Sequence, residues 1–143
     1  MLSESYNPTR DQTWGQPGER VLYKYFVSVV GADAVTSYPE GKEGIDFSID
    51  WKGLRVYIDS EVRSDWFYGE FPYDTIHIPY RKRGMIKSHL PFRYYVIRRD
   101  LAAFMAIAGD KILGSAVVTM EIKEKKNSFF NVSKLDIIGY RVL

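Results

Sequence analysis

The stretch "IDFSIDWKGLRVYIDSEVR", residues 45–63, constrains the fold more than any other part of the chain. Its two halves alternate apolar and polar residues with a period of two. "WKG" between them supplies a tight connection in which Gly53 takes a positive φ without steric cost. The pattern predicts a β-hairpin with half-buried strands. On its second strand Ile58 and Val62 share one face, while Asp59, Glu61 and Arg63 share the other. Residues symmetric about Lys52 and Gly53 pair across such a hairpin, which sets Asp46 near Asp59 and Glu61. Carboxylates crowded on a sheet repel one another unless they are protonated, paired with arginine or bound to a cation.

A helix is expected before the hairpin. In "QPGERVLYKYFVSVVGA" the residues Leu22, Tyr25, Phe26, Val29 and Val30 recur at helical spacing, Pro17 and Gly18 mark the entry, and Gly31 is placed to end it. Glu19 lies on the same helical face as Leu22 and Phe26, so its carboxylate is expected to face the sheet. Residues 1–16 read as an irregular arm, and "AVTSYPEGKEG" as a short strand and a turn-rich loop with Pro39, Gly41 and Gly44. Beyond the hairpin, "TIHIPY" suggests a short strand, "RKRGMIKSHL" a short helix and "FRYYVIR" a strand. "DLAAFMAIAGDKIL" reads as a helix with Asp100 as its N-cap, and the C-terminal segment as a strand, a charged turn at "KEKKN" and further strand. This order describes one α/β domain over residues 1–143, with a mixed central sheet flanked by helices.

Composition narrows the chemistry. The 143 residues are 45% hydrophobic, enough for a single core. The chain has no cysteine, which removes disulfides, thiolate zinc sites and thiol nucleophiles together. His77 and His89 lack partner motifs and do not argue for zinc. A net charge of +2 permits a nucleic-acid partner without demanding one, so the distribution of charge has to decide. "YRKRGMIKSH" gathers Arg81, Lys82, Arg83 and Lys87, which would neutralise phosphates; a solvated basic loop is the equal alternative. "DWFYGEFPYD" holds Trp66, Phe67, Tyr68, Phe71 and Tyr73. These would stack on unpaired bases or, the stronger expectation, cap the core or form a homodimer interface. No apolar run is long enough for a bilayer, and "MLSESYNPTRDQTWGQPGE" lacks the basic and apolar regions of a secretory leader, so a cytoplasmic protein is expected.

The helix with Glu19 in "GERVLYKYF", Asp46 in "EGIDFSID" and "EVR", Glu61 to Arg63, taken together in this order, resemble the PD-(D/E)xK nuclease superfamily. The resemblance covers about residues 17–66, with "FRYYVIRRDLAAFMAIAGD" at the place of the next core strand and helix. It implies a restriction-endonuclease-like core and metal-dependent hydrolysis of phosphodiester bonds, most naturally in DNA, with Mg²⁺ or Mn²⁺. By the resemblance, Asp46, Glu61 and the carbonyl of Val62 would be metal ligands, and Glu19 an auxiliary carboxylate. Arg63 departs from the pattern because it stands where the family keeps lysine. A guanidinium cannot act as a neutral base, although it stabilises charge on a phosphoryl centre. Lys24 and Lys82 are candidate replacements. Cutting both strands of a duplex would call for a two-fold homodimer. The competing expectation is a non-catalytic member of the same fold that binds nucleic acid or protein through a degenerate site.

Overall fold

Alternation in residues 45–63 does produce a hairpin, and it supplies the second and third strands of a six-stranded sheet. The computed structural model describes residues 15–38 and 44–142, so the arm over 1–14 and the loop positions Pro39 and Gly41 lie outside the described residues. Helix α1 spans Gly15–Val30 and ends at Gly31, whose φ of 89° suits glycine. The strands that follow are β1 (Val35–Ser37), β2 (Phe47–Trp51) and β3 (Leu54–Arg63). Lys52 and Gly53 both have positive φ, 51° and 81°, which is the geometry of a two-residue I′ turn and fixes the register Trp51 to Leu54.

From β3 the chain crosses over through β4 (Thr75–Pro79), a 3₁₀ turn at Tyr80–Lys82 and the short helix α2 (Arg83–Ser88). It re-enters the sheet as β5 (Phe92–Arg98), parallel to β3, then continues through β6 (Ala103–Ala108) and α3 (Gly109–Leu113). The hairpin β7 (Ala116–Ile122) and β8 (Lys125–Ser133) pairs with β4, and β9 (Ile137–Val142) closes the main sheet beside β6. Strand order is β1-β2-β3-β5-β6-β9 in the main sheet and β4-β8-β7 in a second, three-stranded one. The β3–β5 pair is parallel and the other pairs in both sheets are antiparallel, so the central sheet is mixed.

Each face of the main sheet is covered differently. Leu22, Tyr23 and Phe26 of α1 pack on Phe47, Val56, Ile58, Tyr95 and Ile97. The opposite face carries Phe92, Tyr94, Val96 and Met105, and it is covered by Ile76 and Ile78 of β4, Phe130 and Val132 of β8, and Ile86 of α2. The expected flanking helices are therefore one full helix on one side and a small sheet with two short helices on the other.

Residues 100–113 depart from the expected helix. Asp100 sits in a turn, where its Oδ1 accepts from Arg98 Nε at 2.9 Å and from the Ala102 amide at 3.0 Å. "AFMAIA" becomes β6, buried on both faces, and only Gly109–Leu113 is helical. An apolar run lying between two neighbouring strands has no polar face to show a period, and alanine's helix preference gives way to that burial.

Gly18 sets the seat of α1. A Cβ there would lie 2.6 Å from Val62 Cγ2 and 2.9 Å from Ile97 Cδ1. Val62 is β-branched and cannot swing aside cheaply. Gly18→Ala is expected to destabilise the protein by about 1–2 kcal/mol despite alanine's better helix propensity. Urea unfolding checks it: an unchanged or raised midpoint would show that α1 slides without cost.

Candidate active site

The site forms where β2 leaves β3. The Asp46 amide donates to the Ile58 carbonyl at 2.9 Å, which is the last rung between the two strands. On a strand flanked by a parallel neighbour, alternate residues turn both backbone groups to one side. Tyr57 donates to Pro91 on the β5 side, so Ile58, Ser60 and Val62 face the β2 side, where no strand among the described residues pairs past Asp46. Among the described residues the Ser60 N–H has no strand partner there. Two carboxylates take it: Asp46 Oδ2 at 3.0 Å and Asp59 Oδ1 at 2.8 Å. Ser60 Oγ also donates to Asp46 Oδ2, at 2.7 Å.

Both carboxyls therefore converge on the one Ser60 N–H, which sets Asp46 and Asp59 side by side. Ionised together, two carboxylates this close repel each other, and a proton or a cation between them relieves that repulsion. Asp59 is only 4% exposed, and that burial pushes its carboxyl above the ordinary aspartate range. Lys82 pulls it partly back, with Nζ donating to Asp59 Oδ2 at 2.7 Å. The 3₁₀ turn after β4 delivers this lysine, and its ammonium lies 5.8 Å from the centre of the Tyr94 ring.

Tyr94 stands opposite Asp59 in the parallel register and links the pair to the next carboxyl. Its hydroxyl is raised well above its usual range, by burial first and then by Glu61 and Asp59. It therefore stays protonated beside Glu61. The Glu61 side chain is 31% exposed, yet Oε1 is shielded and has no hydrogen-bond partner among the described residues. Arg63 Nη1 reaches Oε1 only as an ion pair, at 3.6 Å. Burial raises the Glu61 carboxyl, with Arg63 and Tyr94 opposing. Beyond it Arg63 Nε donates to Asp65 Oδ1 at 3.3 Å, and this pairing holds Asp65 low. Charges thus alternate along one face, from the aspartate pair through Lys82 and Glu61 to Arg63 and Asp65.

The structure gathers some of the residues singled out in the sequence and separates others. Asp46 meets Asp59, not Glu61, because Phe47 pairs with Ile58 and the register puts position 46 against 59. Glu61 lies one step further along the same face. Val62 turns its side chain to the opposite face, against Gly18. Glu19 is half-buried on α1, whose face covers the side of the sheet away from Asp59 and Glu61. Arg63 belongs with Glu61 and Asp65. Within the basic stretch, Lys82 is drawn into the site while Arg81, Arg83 and Lys87 stay exposed.

Asp59 and Tyr94 carry more of the site than the sequence indicated. The register across "WKG" was the available signal for Asp59; nothing local marks Tyr94, which the parallel pairing of β5 brings in. No group of three or more histidine or acidic side chains suited to a metal occurs among the described residues, so the oxygen donors at hand are the aspartate pair. No model of a known protein family and no curated protein matches the sequence.

The Glu61 carboxyl carries a stability signature. Its folded pKa lies above the ordinary value of 4.5, so the folded state is favoured while the group is protonated and loses that advantage as pH rises through the folded pKa. Glu61→Gln cannot ionise and keeps the size of the side chain and one acceptor oxygen. In metal-free buffer its urea midpoint is expected to exceed that of the wild type at pH 8 and to converge with it near pH 4. A glutamine variant less stable at pH 8 would show that Arg63 and Tyr94 outweigh the burial of the charge.

Proposed function

We propose that this protein hydrolyses phosphodiester bonds in nucleic acid, most naturally DNA, in a metal-dependent reaction centred on Asp46 and Asp59. The observation that carries the reading is the convergence of these two carboxyls on the Ser60 N–H, at the point where a hairpin opens, with Lys82 at 2.7 Å. On this register the pattern of the PD-(D/E)xK superfamily falls two residues earlier than the "EVR" alignment: Asp46 is the first carboxylate and Asp59 the second. Glu61 then stands at the position of the motif lysine, and Lys82 supplies an ammonium from another element.

The donor set fits a hard divalent cation. Two neighbouring carboxyls that converge on one backbone N–H suit Mg²⁺ or Mn²⁺, which bind through one or two carboxylates and otherwise keep water and substrate oxygens. Held by Asp46 and Asp59, such an ion would polarise a phosphoryl oxygen and acidify a water. The chain's own residues do the rest. Ser60 fixes the orientation of both aspartates through its N–H and Oγ. Lys82 holds positive charge where a phosphate's non-bridging oxygen would gather negative charge. Glu61, raised by burial and paired with Arg63 at 3.6 Å, is suited to accept a proton at Oε1. Arg63 keeps Glu61 in place and holds positive charge toward the substrate side.

A second reading has its own support. Asp59 is already paired with Lys82, and Asp46 already takes two hydrogen bonds from Ser60, so the carboxyls are satisfied by the protein itself. A non-catalytic member of the fold, binding nucleic acid or protein through such a closed site, is the alternative.

Cleavage of single- and double-stranded DNA and RNA in Mn²⁺ and Mg²⁺ separates the two. Asp59→Asn and Asp46→Asn are each expected to lower activity by about 10²-fold or more. Lys82→Ala is expected to cost about 10²-fold, and Arg63→Ala less than about tenfold. The reverse order for Lys82 and Arg63 would return the catalytic cation to Arg63. No metal-dependent cleavage of any substrate leaves the non-catalytic reading.

A further inference from the structure

The loop over residues 64–74 rises from the end of β3, next to the candidate site, and is pinned from beneath. Trp66 is fully buried; its amide donates to the Arg63 carbonyl at 3.2 Å and its indole N–H to the Gly69 carbonyl at 3.0 Å. Arg98 Nη1 donates to that same carbonyl at 3.0 Å, and the Arg99 amide to the Trp66 carbonyl at 2.9 Å. Phe71, also buried, meets Trp66 and Tyr73 edge-on at 5.6 Å and 5.5 Å. These ties give the loop a definite shape.

What the pinned loop displays is aromatic. Phe67 is 56% exposed and Tyr68 82% exposed, so neither ring serves the core. The Arg99 guanidinium lies 5.1 Å from the centre of the Phe67 ring and donates to the Ser64 carbonyl at 3.4 Å, which holds it beside that ring. Flat aromatic faces with a neighbouring guanidinium match a ligand that combines flat bases with phosphate charge. Strand β3 advances about 3.3 Å per residue, so Arg63 lies about 13 Å beyond Asp59. The loop begins there, a few nucleotides' reach from the aspartate pair.

We propose that Phe67 and Tyr68 form a stacking platform for unpaired bases, with Arg99 taking an adjacent phosphate, so that the substrate is single-stranded or frayed nucleic acid and not blunt duplex. The proposal rests on the phosphodiesterase reading of Asp46 and Asp59 and adds to it the form of the substrate. Stacking tolerates any base, so binding through the platform depends little on sequence and weakens with salt.

The test measures fluorescence anisotropy of a labelled 20-nucleotide single strand and of the same sequence as a blunt duplex. It uses the full chain in EDTA, so that binding is read without cleavage. The single strand is expected to bind at least about tenfold more tightly than the duplex. F67A/Y68A, both solvent-facing changes that should leave the thermal melt unaltered, is expected to lose about tenfold or more on the single strand and little on the duplex. Undiminished single-strand binding by F67A/Y68A would overturn the proposal. So would light scattering that shows a wild-type dimer which the double variant dissolves, because the rings would then cover a second copy of the chain. A parallel Mn²⁺ cleavage assay keeps the two readings apart. Platform-dependent binding without cleavage removes the phosphodiesterase and leaves the platform, whereas cleavage that ignores F67A/Y68A removes the platform alone.

Discussion

Two carboxyls sharing one backbone N–H, that of Ser60, are the contact around which this structure is arranged. The contact exists because β2 stops pairing at Asp46 while β3 runs on for five more residues, through Arg63. A strand edge abandoned in this way exposes donors that water or side chains have to satisfy. Asp46 and Asp59 do so with charge-bearing oxygens. The I′ turn at Lys52 and Gly53 fixes which residues meet, since a slip of one residue would send Asp59 to the helix-covered face.

Holding an acid at Asp59 is costly for a domain of this size. A carboxylate removed from water loses solvation that a single ion pair seldom restores. The fold tolerates it through several elements at once: β3 carries Asp59 and Glu61, the parallel neighbour β5 supplies the Tyr94 hydroxyl, and the 3₁₀ turn after β4 supplies Lys82. The small second sheet therefore has two roles. It covers the core with Ile76, Ile78, Phe130 and Val132, and through the turn that leaves β4 it places the lysine. Titratable groups perturbed by burial and by specific partners, gathered at an open edge, mark a site of function more often than of stability. Among the described residues, no helix is long and apolar enough to cross a membrane.

The hairpin and α1 were legible in the sequence because each shows a clean period and a glycine at its end. The same alternation placed Asp59, Glu61 and Arg63 on one face. The pairing of Asp46 was legible only to within two residues, and those two residues decide whether Asp59 or Glu61 is the second carboxyl of the pair. Strand β6 was hidden because Ala103–Ala108 is apolar throughout, and such a run looks the same whether it is to be a strand or a helix. Lys82 and Tyr94 were hidden for another reason: each reaches the site through long-range pairing, β4 with β8 and β3 with β5, which no local pattern encodes. Lys82 was named beside Lys24 as a candidate ammonium, but nothing local placed it in the site, and only the turn after β4 distinguishes it from Arg81 and Arg83.

The central claim is that Asp46 and Asp59 form one cation-binding pair. Anomalous diffraction from crystals grown with Mn²⁺ tests it directly. The expected result is a single strong peak about 2.1 Å from oxygens of both Asp46 and Asp59. A map with no peak between these carboxyls, Asp59 still paired with Lys82 alone, would contradict it.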